Sequence, residues 1–357
     1  MTPFAEKHYP DYLPPEELDR YLERGWYRMG QTIFTTHFLC FKQQLYSAIW
    51  VRLHLPSHSF RKSQRKLMRR NGTRFRIVFQ DESTITAEKE ALFRRYRKTF
   101  KGFLGNSLAE SLYDAEENNI YDTREVQIYN ANRLIGLSFF DVGKNSAASI
   151  TGIYDPAYKD FSLGYYTMLL EIKYCQEHGL TYYYPGYVVP GFERFDYKLR
   201  IGEVSYYTLD QQNWEPYQQL EPAKIPINLM ETRLLELSQQ MTQFNVPHQL
   251  YRYPLFEASL FGFWDAPYLE YPWLIQLPDT GPNYLYFAVY NVRNHHYELL
   301  RCTPFDDLNF YFNESYTRSF NPEEFFMRLS VVDNLLYSVE SAKDFARYLR
   351  DKQDRLI

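Results

Sequence analysis

Apolar residues along this chain change their period from two to nearly four and back, and each change marks an element. Three runs rich in β-branched and aromatic residues, Glu125–Tyr129, Leu134–Asp141 and Ser146–Tyr154, are separated by the polar turns Asn130-Ala131-Asn132-Arg133 and Gly143-Lys144-Asn145. That pattern predicts an antiparallel meander. The period then lengthens. Tyr165, Met168, Leu169, Ile172 and Cys175 recur at helical spacing, with Ser162 as N-cap and Gly179 as the stop before a strand over Thr181–Val189.

The flanks are readable in the same terms. Pro14 to Glu17, followed by Leu18, Tyr21 and Leu22, predict a short helix closed by Gly25. Thr32–Phe41, Ser47–Leu55 and Arg74–Phe79 predict strands, and Ala87–Phe100 a helix. Pro216, Pro222 and Pro226 punctuate a linker, after which Leu229, Arg233, Leu234, Leu237 and Met241 begin a new helix. Strands over Tyr284–Val292 and Tyr297–Cys302 pair through a turn at His295-His296, and a last helix starts at Ser341 with Asp344 completing its cap. The division expected is a region over 1–222, made of an N-terminal stretch over 1–110 and a core over 111–222, then a smaller α+β module over 223–357.

Charge adds a function-bearing feature to this frame. From Arg61 to Lys101 there are 14 Lys+Arg against 4 Asp+Glu, while the whole chain carries a formal net charge of −4. Arg61, Lys62, Arg65, Lys66, Arg69 and Arg70 fall on one half of a helix whose other side holds Phe60, Leu67 and Met68. Such a face suits a polyanion backbone, though a solvated helix has the same composition. The helix over Ala87–Phe100 is expected to continue this positive surface. Segment 225–357 is acidic, with 11 basic against 17 acidic residues, which argues against an extended nucleic-acid surface there.

Composition otherwise excludes more than it assigns. The 357 residues are 45% hydrophobic and 24% charged, which fits a soluble globular chain with two cores. The 34 Tyr and 27 Phe are unusual, but a Tyr-rich source proteome would look the same. Only Cys40, Cys175 and Cys302 occur, none at metal or redox spacing, so a reduced cytoplasmic location is expected. Residues 1–15 carry Glu6, Lys7 and Asp11 where a signal peptide would be apolar, and no run is long enough to span a bilayer. No membrane and no DNA partner are expected.

Meander, amphipathic helix and further strand is the core order of an acetyltransferase-like (GNAT-like) α+β fold, a mixed sheet with flanking helices. Several motifs, in order over roughly residues 16–210, resemble the aminoacyl-tRNA–protein transferases, the arginyl- and leucyltransferases of the N-degron pathway. Gly25-Trp26-Tyr27-Arg28-Met29-Gly30 resembles G-W-R-R-x-G, and Val51-Arg52-Leu53 resembles V-R-I. Arg61 through Asn71 is similar to R-x-S-Q-R-R-x-x-R-R-N. Tyr154-Asp155-Pro156 is similar to Y-D-P, Ser162-Leu163-Gly164 to S-L-G, Tyr182 through Tyr187 to Y-x-Y-L-G-Y, and Tyr197-Lys198 to the Y-K pair beyond that strand.

The chain departs from the family where members carry a cysteine cluster between the first two motifs. Here that interval holds Cys40 alone, with His37 nearby, too few donors for a tetrahedral site, so no metal and no cofactor beyond aminoacyl-tRNA as co-substrate is expected.

The resemblance implies transfer of an amino acid, arginine or leucine, from aminoacyl-tRNA to the N-terminal α-amine of proteins starting with Asp or Glu. The ester is already activated, so positioning and oxyanion stabilisation suffice. It implies tRNA binding at Arg61, Lys62, Arg65, Lys66, Arg69 and Arg70. Substrate contacts would come from Arg28, Arg52, Ser162, Leu163, Gly164 and Gly186, with Tyr197, Lys198 and Asp155 at the chemistry. Each has a plainer reading: a structural ion pair for the arginines, an N-cap for Ser162, a surface position for Lys198 and a turn former for Asp155. An acyl-CoA-dependent N-acyltransferase also suits the core order, although Phe161-Ser162-Leu163-Gly164-Tyr165 is a poor pyrophosphate cradle; a non-catalytic RNA-binding relative is the third possibility.

Overall fold

The fold is described from a computed structural model, over residues 2–102, 104–114, 118–261, 265–278, 283–305 and 318–356. The N-terminal region runs β1 (Ala5–His8), α1 (Pro15–Glu23), β2 (Tyr27–Met29), β3 (Thr32–Thr36), β4 (Phe38–Phe41), β5 (Gln44–Ser47), β6 (Ile49–His54), α2 (Lys62–Arg74), β7 (Arg76–Gln80), α3 (Ala87–Arg97) and α4 (Leu108–Tyr113). The central region is β8 (Thr123–Asn130), β9 (Arg133–Val142), β10 (Ser146–Tyr154), α5 (Leu163–Glu177), β11 (Tyr182–Val188), β12 (Val204–Tyr207) and β13 (Trp214–Pro216). The remainder is α6 (Pro226–Gln243), β14 (Gln249–Arg252), β15 (Trp273–Gln276), β16 (Leu285–Asn291), β17 (His296–Pro304), β18 (Ser330–Val339) and α7 (Ala342–Leu356).

Eight strands form the main sheet in the order β13-β12-β6-β11-β10-β9-β8-β7. Its neighbours are antiparallel except β10 and β11, which run parallel. That parallel step requires a crossover, and α5 supplies it. The meander, crossover helix and parallel strand make this an acetyltransferase-like mixed sheet. Alternation along the strands feeds two layers. Ile128, Ile135 and Phe140 pack with α5 and the inner side of α2, whereas Leu134, Leu137, Phe139 and Ile153 pack with Leu92 and Phe93 of α3 and with α4.

Two expectations are corrected here. The helix over 87–97 does not extend the positive face of α2, because it covers the opposite side of the sheet. The run Thr32–Phe41 is two strands in different sheets: β3 pairs with β1 and β2, β4 pairs with β5, and the chain turns at buried His37, whose amide donates to the Phe4 carbonyl.

The C-terminal unit is a five-stranded antiparallel sheet, β14-β15-β16-β17-β18, covered by α6 and α7. Ser341 Oγ accepts the amide of Asp344 at the start of α7. Leu234, Leu237, Phe287, Val289 and Phe345 are fully buried in its core. Phe4 and Phe38 from the N-terminal region enter that same core, with Phe4 edge-on to Tyr271 at 5.3 Å between ring centres. The N-terminal region and the C-terminal unit therefore share buried apolar surface.

Candidate active site

Pairing between β10 and β11 covers Ser146–Ala148 against Tyr182–Tyr184 and then stops, although both strands continue. Each carries a register shift just there, β10 between Ser149 and Thr151 against β9, and β11 between Tyr183 and Gly186 against β6. An inserted residue bends a strand and frees backbone groups, so the two strands part. Tyr27 occupies the opening. Its hydroxyl donates to the Ser149 carbonyl, with the Tyr184 carbonyl oxygen 2.9 Å away, so it links the separated strands. Its ring stacks on Trp50.

Beyond the parting, Gly186 has φ +89° and leaves room for Lys198. Lys198 lies in the 3-10 segment Glu193–Arg200, and its Nζ donates to the Tyr187 carbonyl at 2.9 Å. The ammonium is also 5.4 Å from the ring centres of Tyr187 and Phe195. Desolvation of this half-buried ammonium, which has no carboxylate partner among the described residues, pulls its pKa down to about 7. Tyr197, its neighbour, is exposed.

Under the opening, on α5, lies Glu171, which is fully buried. Burial pushes its carboxyl up to about 7, opposed by Ser138, Tyr183 and Ser149; the Tyr183 hydroxyl donates to it at 2.7 Å. Two groups moved to near neutrality from opposite directions, Lys198 and Glu171, can hold and release protons at cellular pH.

Other expected site residues are placed differently. Arg28 is buried with a full set of partners: Nη1 is 2.8 Å from Asp141 and 2.9 Å from Thr123 Oγ1, Nη2 meets the Leu112 carbonyl, and Nε the Gly30 carbonyl. It is a structural cation and not a substrate contact. Asp155, expected at the chemistry, instead accepts the Ala157 amide and pairs with Arg95 and Arg133 at 3.1 and 2.5 Å, so it fixes a turn.

Ser162 is the N-cap of α5, with φ +51°, and its carbonyl accepts the Tyr166 amide at 2.9 Å while its side chain makes no capping bond. Leu163 is fully buried in the core, so its side chain meets no ligand. Gly164 lies under the Tyr154 ring, where a Cβ would sit 3.4 Å from it.

Arg52 keeps an open position. Its guanidinium lies 4.0 Å from the Tyr182 ring centre and 4.5 Å from that of Trp214, and it lines a cleft of about 590 Å³ with Arg20, Arg24 and Asn213. Its Nη1 is buried with no partner among the described residues. The preceding residue, Val51, pairs with Gly186, which sets Arg52 about one strand spacing from the opening.

The basic helix α2 exposes Arg61, Lys62, Arg65, Lys66, Arg69 and Arg70, and buries Gln64 and Asn71. Gln64 Nε2 donates to the Ile201 carbonyl at 2.8 Å, the Arg200 carbonyl at 3.1 Å and Tyr165 Oη at 3.0 Å, while Asn71 Nδ2 donates to the Phe161 carbonyl at 2.9 Å. Two amides therefore dock the helix, and Leu67 and Met68 are only half-buried. Sequence reasoning missed these amides, and Tyr27 and Glu171 with them. The available signal for Glu171 was a lone carboxylate on the apolar face shared by Met168, Ile172 and Cys175.

Among the described residues no group of three His, Cys, Asp or Glu side chains is placed to hold a metal ion. Nor is any described helix long and apolar enough to cross a membrane.

A mixed sheet parted beside a crossover helix defines an acetyltransferase-like fold. Residues 88–208 match the family described as arginine-tRNA-protein transferase, C terminus. An aspartate/glutamate leucyltransferase of Leptospira interrogans is 26% identical over 229 residues, 63% of this chain and 82% of the relative. One of Helicobacter hepaticus is 27% identical over 185 residues, 50% of this chain and 74% of the relative. Over these residues the chain is similar to the aminoacyl-tRNA–protein transferases. Among solved structures, FemX aligns with 54% of this chain and 65% of its own at 12% identity and a TM-score of 0.33.

Proposed function

We propose that this protein transfers leucine or arginine from aminoacyl-tRNA to the N-terminal α-amine of proteins beginning with Asp or Glu, in the cytoplasm. The observation that carries the reading is Lys198 Nζ, with its lowered pKa, against Gly186 at the parting of β10 and β11. The acceptor nitrogen attacks the ester carbonyl carbon, and the bond from that carbon to the ribose oxygen breaks. The neutral Lys198 amine takes the proton that the acceptor nitrogen loses, and its ammonium returns it to the departing ribose oxygen. Tyr197 stands beside it at the site's surface. No metal or further cofactor enters this scheme.

The exposed cations of α2 hold the tRNA backbone, and the first turn of α5, from Ser162 to Gly164, faces the terminal adenosine with its amides. Arg52 reads the acidic side chain of the acceptor, since a stacked guanidinium with an unused nitrogen suits a carboxylate. The relatives' name supports both leucine and acidic acceptors, while the family description supports arginine. Residues 1–222 would carry the reaction, with 223–357 as an accessory unit.

The test offers the purified protein radiolabelled leucyl-tRNA, arginyl-tRNA or acetyl-CoA, with peptides beginning with Asp, Asn or Ala. Label moving from an aminoacyl-tRNA to the Asp peptide is expected. Label from acetyl-CoA alone, or tRNA binding with no transfer, overturns the reading in favour of an acyl-CoA enzyme or a non-catalytic RNA binder, respectively.

A further inference from the structure

Five cations close α3 and the turn after it. Arg94, Arg95, Arg97, Lys98 and Lys101 fall within one stretch, 94–101, that contains no carboxylate. Arg95 is half-buried and pairs with Asp155. Arg94, Arg97, Lys98 and Lys101 are exposed and form no ion pair among the described residues. Because α3 covers the face of the sheet opposite α2, this charge makes a second surface, separate from the first.

Direct contacts tie this surface to the candidate active site. Arg194, on the 3-10 segment that carries Lys198, donates from Nη1 to the Lys101 carbonyl at 3.1 Å and sets its guanidinium 4.3 Å from the ring centre of Phe100. Tyr96 packs on Tyr154 at 5.2 Å between ring centres, and the Tyr154 ring covers Gly164 in the first turn of α5. The basic helix α2 reaches that turn from the other layer: Arg70 donates to the Asp160 carbonyl at 3.2 Å and Asn71 to that of Phe161, the residue before Ser162. Two cationic surfaces therefore flank one helix start beside the opening.

The two surfaces differ in chemistry. An unpaired strand offers phosphates and bare base faces, whereas a duplex offers phosphates and hides its bases. Helix α2 has cations and no aromatic residue. The end of α3 interleaves its cations with half-buried Tyr96 and Phe100, next to half-buried Tyr154. We propose that the end of α3 holds the unpaired 3′ strand of aminoacyl-tRNA on its way to the opening between β10 and β11, while α2 holds the paired stem. The proposal rests on the aminoacyl-transfer reading, which brings the 3′-terminal ester to Lys198, so the phosphates just before it cross a neighbouring surface.

The experiment measures binding, not turnover. Full-length protein is titrated by fluorescence anisotropy with intact leucine tRNA and with the same tRNA lacking its four unpaired 3′ nucleotides. The variants are Arg94→Glu with Lys98→Glu, the milder Arg94→Gln with Lys98→Gln, and Arg65→Glu with Arg69→Glu; melting temperatures establish that each is folded. Charge reversal on α3 is expected to weaken binding of intact tRNA about tenfold and leave the truncated RNA unaffected. The glutamine pair should act in the same direction and more weakly. Reversal on α2 should weaken both RNAs alike. Equal losses for both RNAs in the α3 variants, or no loss for either while the α2 variant loses both, overturn the proposal and leave the transferase reading in place. A wild type that binds neither RNA removes that reading itself, and the proposal with it.

Discussion

Lys198 packs closely against Gly186 at the opening of the sheet: its Nζ stands 3.0 Å from where a Cβ on Gly186 would lie. Gly186→Ala is expected to displace the ammonium, lowering kcat/KM for transfer at least tenfold. It should also cost about 1–3 kcal/mol of stability, because φ is positive there. Transfer kinetics beside urea unfolding check this; full activity in a folded variant would remove Lys198 from the chemistry.

Arg28 and Arg52 come from similar-looking motifs and should respond in opposite ways. Arg28→Ala leaves Asp141 buried without its cation and is expected to cost about 3–5 kcal/mol in urea denaturation. Arg52→Ala removes no ion pair among the described residues, so stability should change by about 1 kcal/mol or less, while the advantage of Asp over Ala peptides in transfer is lost. Equal destabilisation by the two changes would contradict the assignment.

On α2 the cations and the amides have separable effects. Arg65→Glu with Arg69→Glu should leave the melting temperature in place and weaken tRNA binding, with the log–log salt slope shallower by about 2. Gln64→Ala, which breaks three bonds that dock the helix, should lower the melting temperature and leave that slope nearly unchanged. Binding isotherms at several salt concentrations distinguish them.

Glu171 gives a pH signature. Its folded pKa, about 7, lies above the unfolded value, so between roughly pH 4.5 and 7 the folded state binds the extra proton and stability falls as pH rises. Glu171→Gln removes that loss. Its melting temperature should exceed the wild type's at pH 8 by more than at pH 5, and a constant difference across this range would show that Glu171 does not titrate there.

Much of the fold was legible because local chemistry fixes it. Turns such as Gly143-Lys144-Asn145, the helical spacing from Met168 to Cys175 and the charge of Arg61–Arg70 depend on near neighbours, and the strands, the crossover helix and the exposed cations follow from them. The roles of charged residues were less legible. Arg28 and Arg52 read alike, but one meets Asp141, 113 residues away, and the other meets no carboxylate among the described residues. Thr32–Phe41 read as one strand because its apolar run is unbroken; pairing partners divided it.

The sequence by itself determined the acetyltransferase-like order, the family resemblance and the basic helix, since each is written in contiguous residues and their spacing. Only the tertiary structure decided that Tyr27, Gly186 and Lys198 meet where β10 and β11 part, that Glu171 is buried against Tyr183, that two amides anchor α2, and that α3 faces the other way. Burial and long-range partners set those outcomes, and a carboxylate or ammonium acquires its pKa from the medium around it, which no single stretch of chain contains.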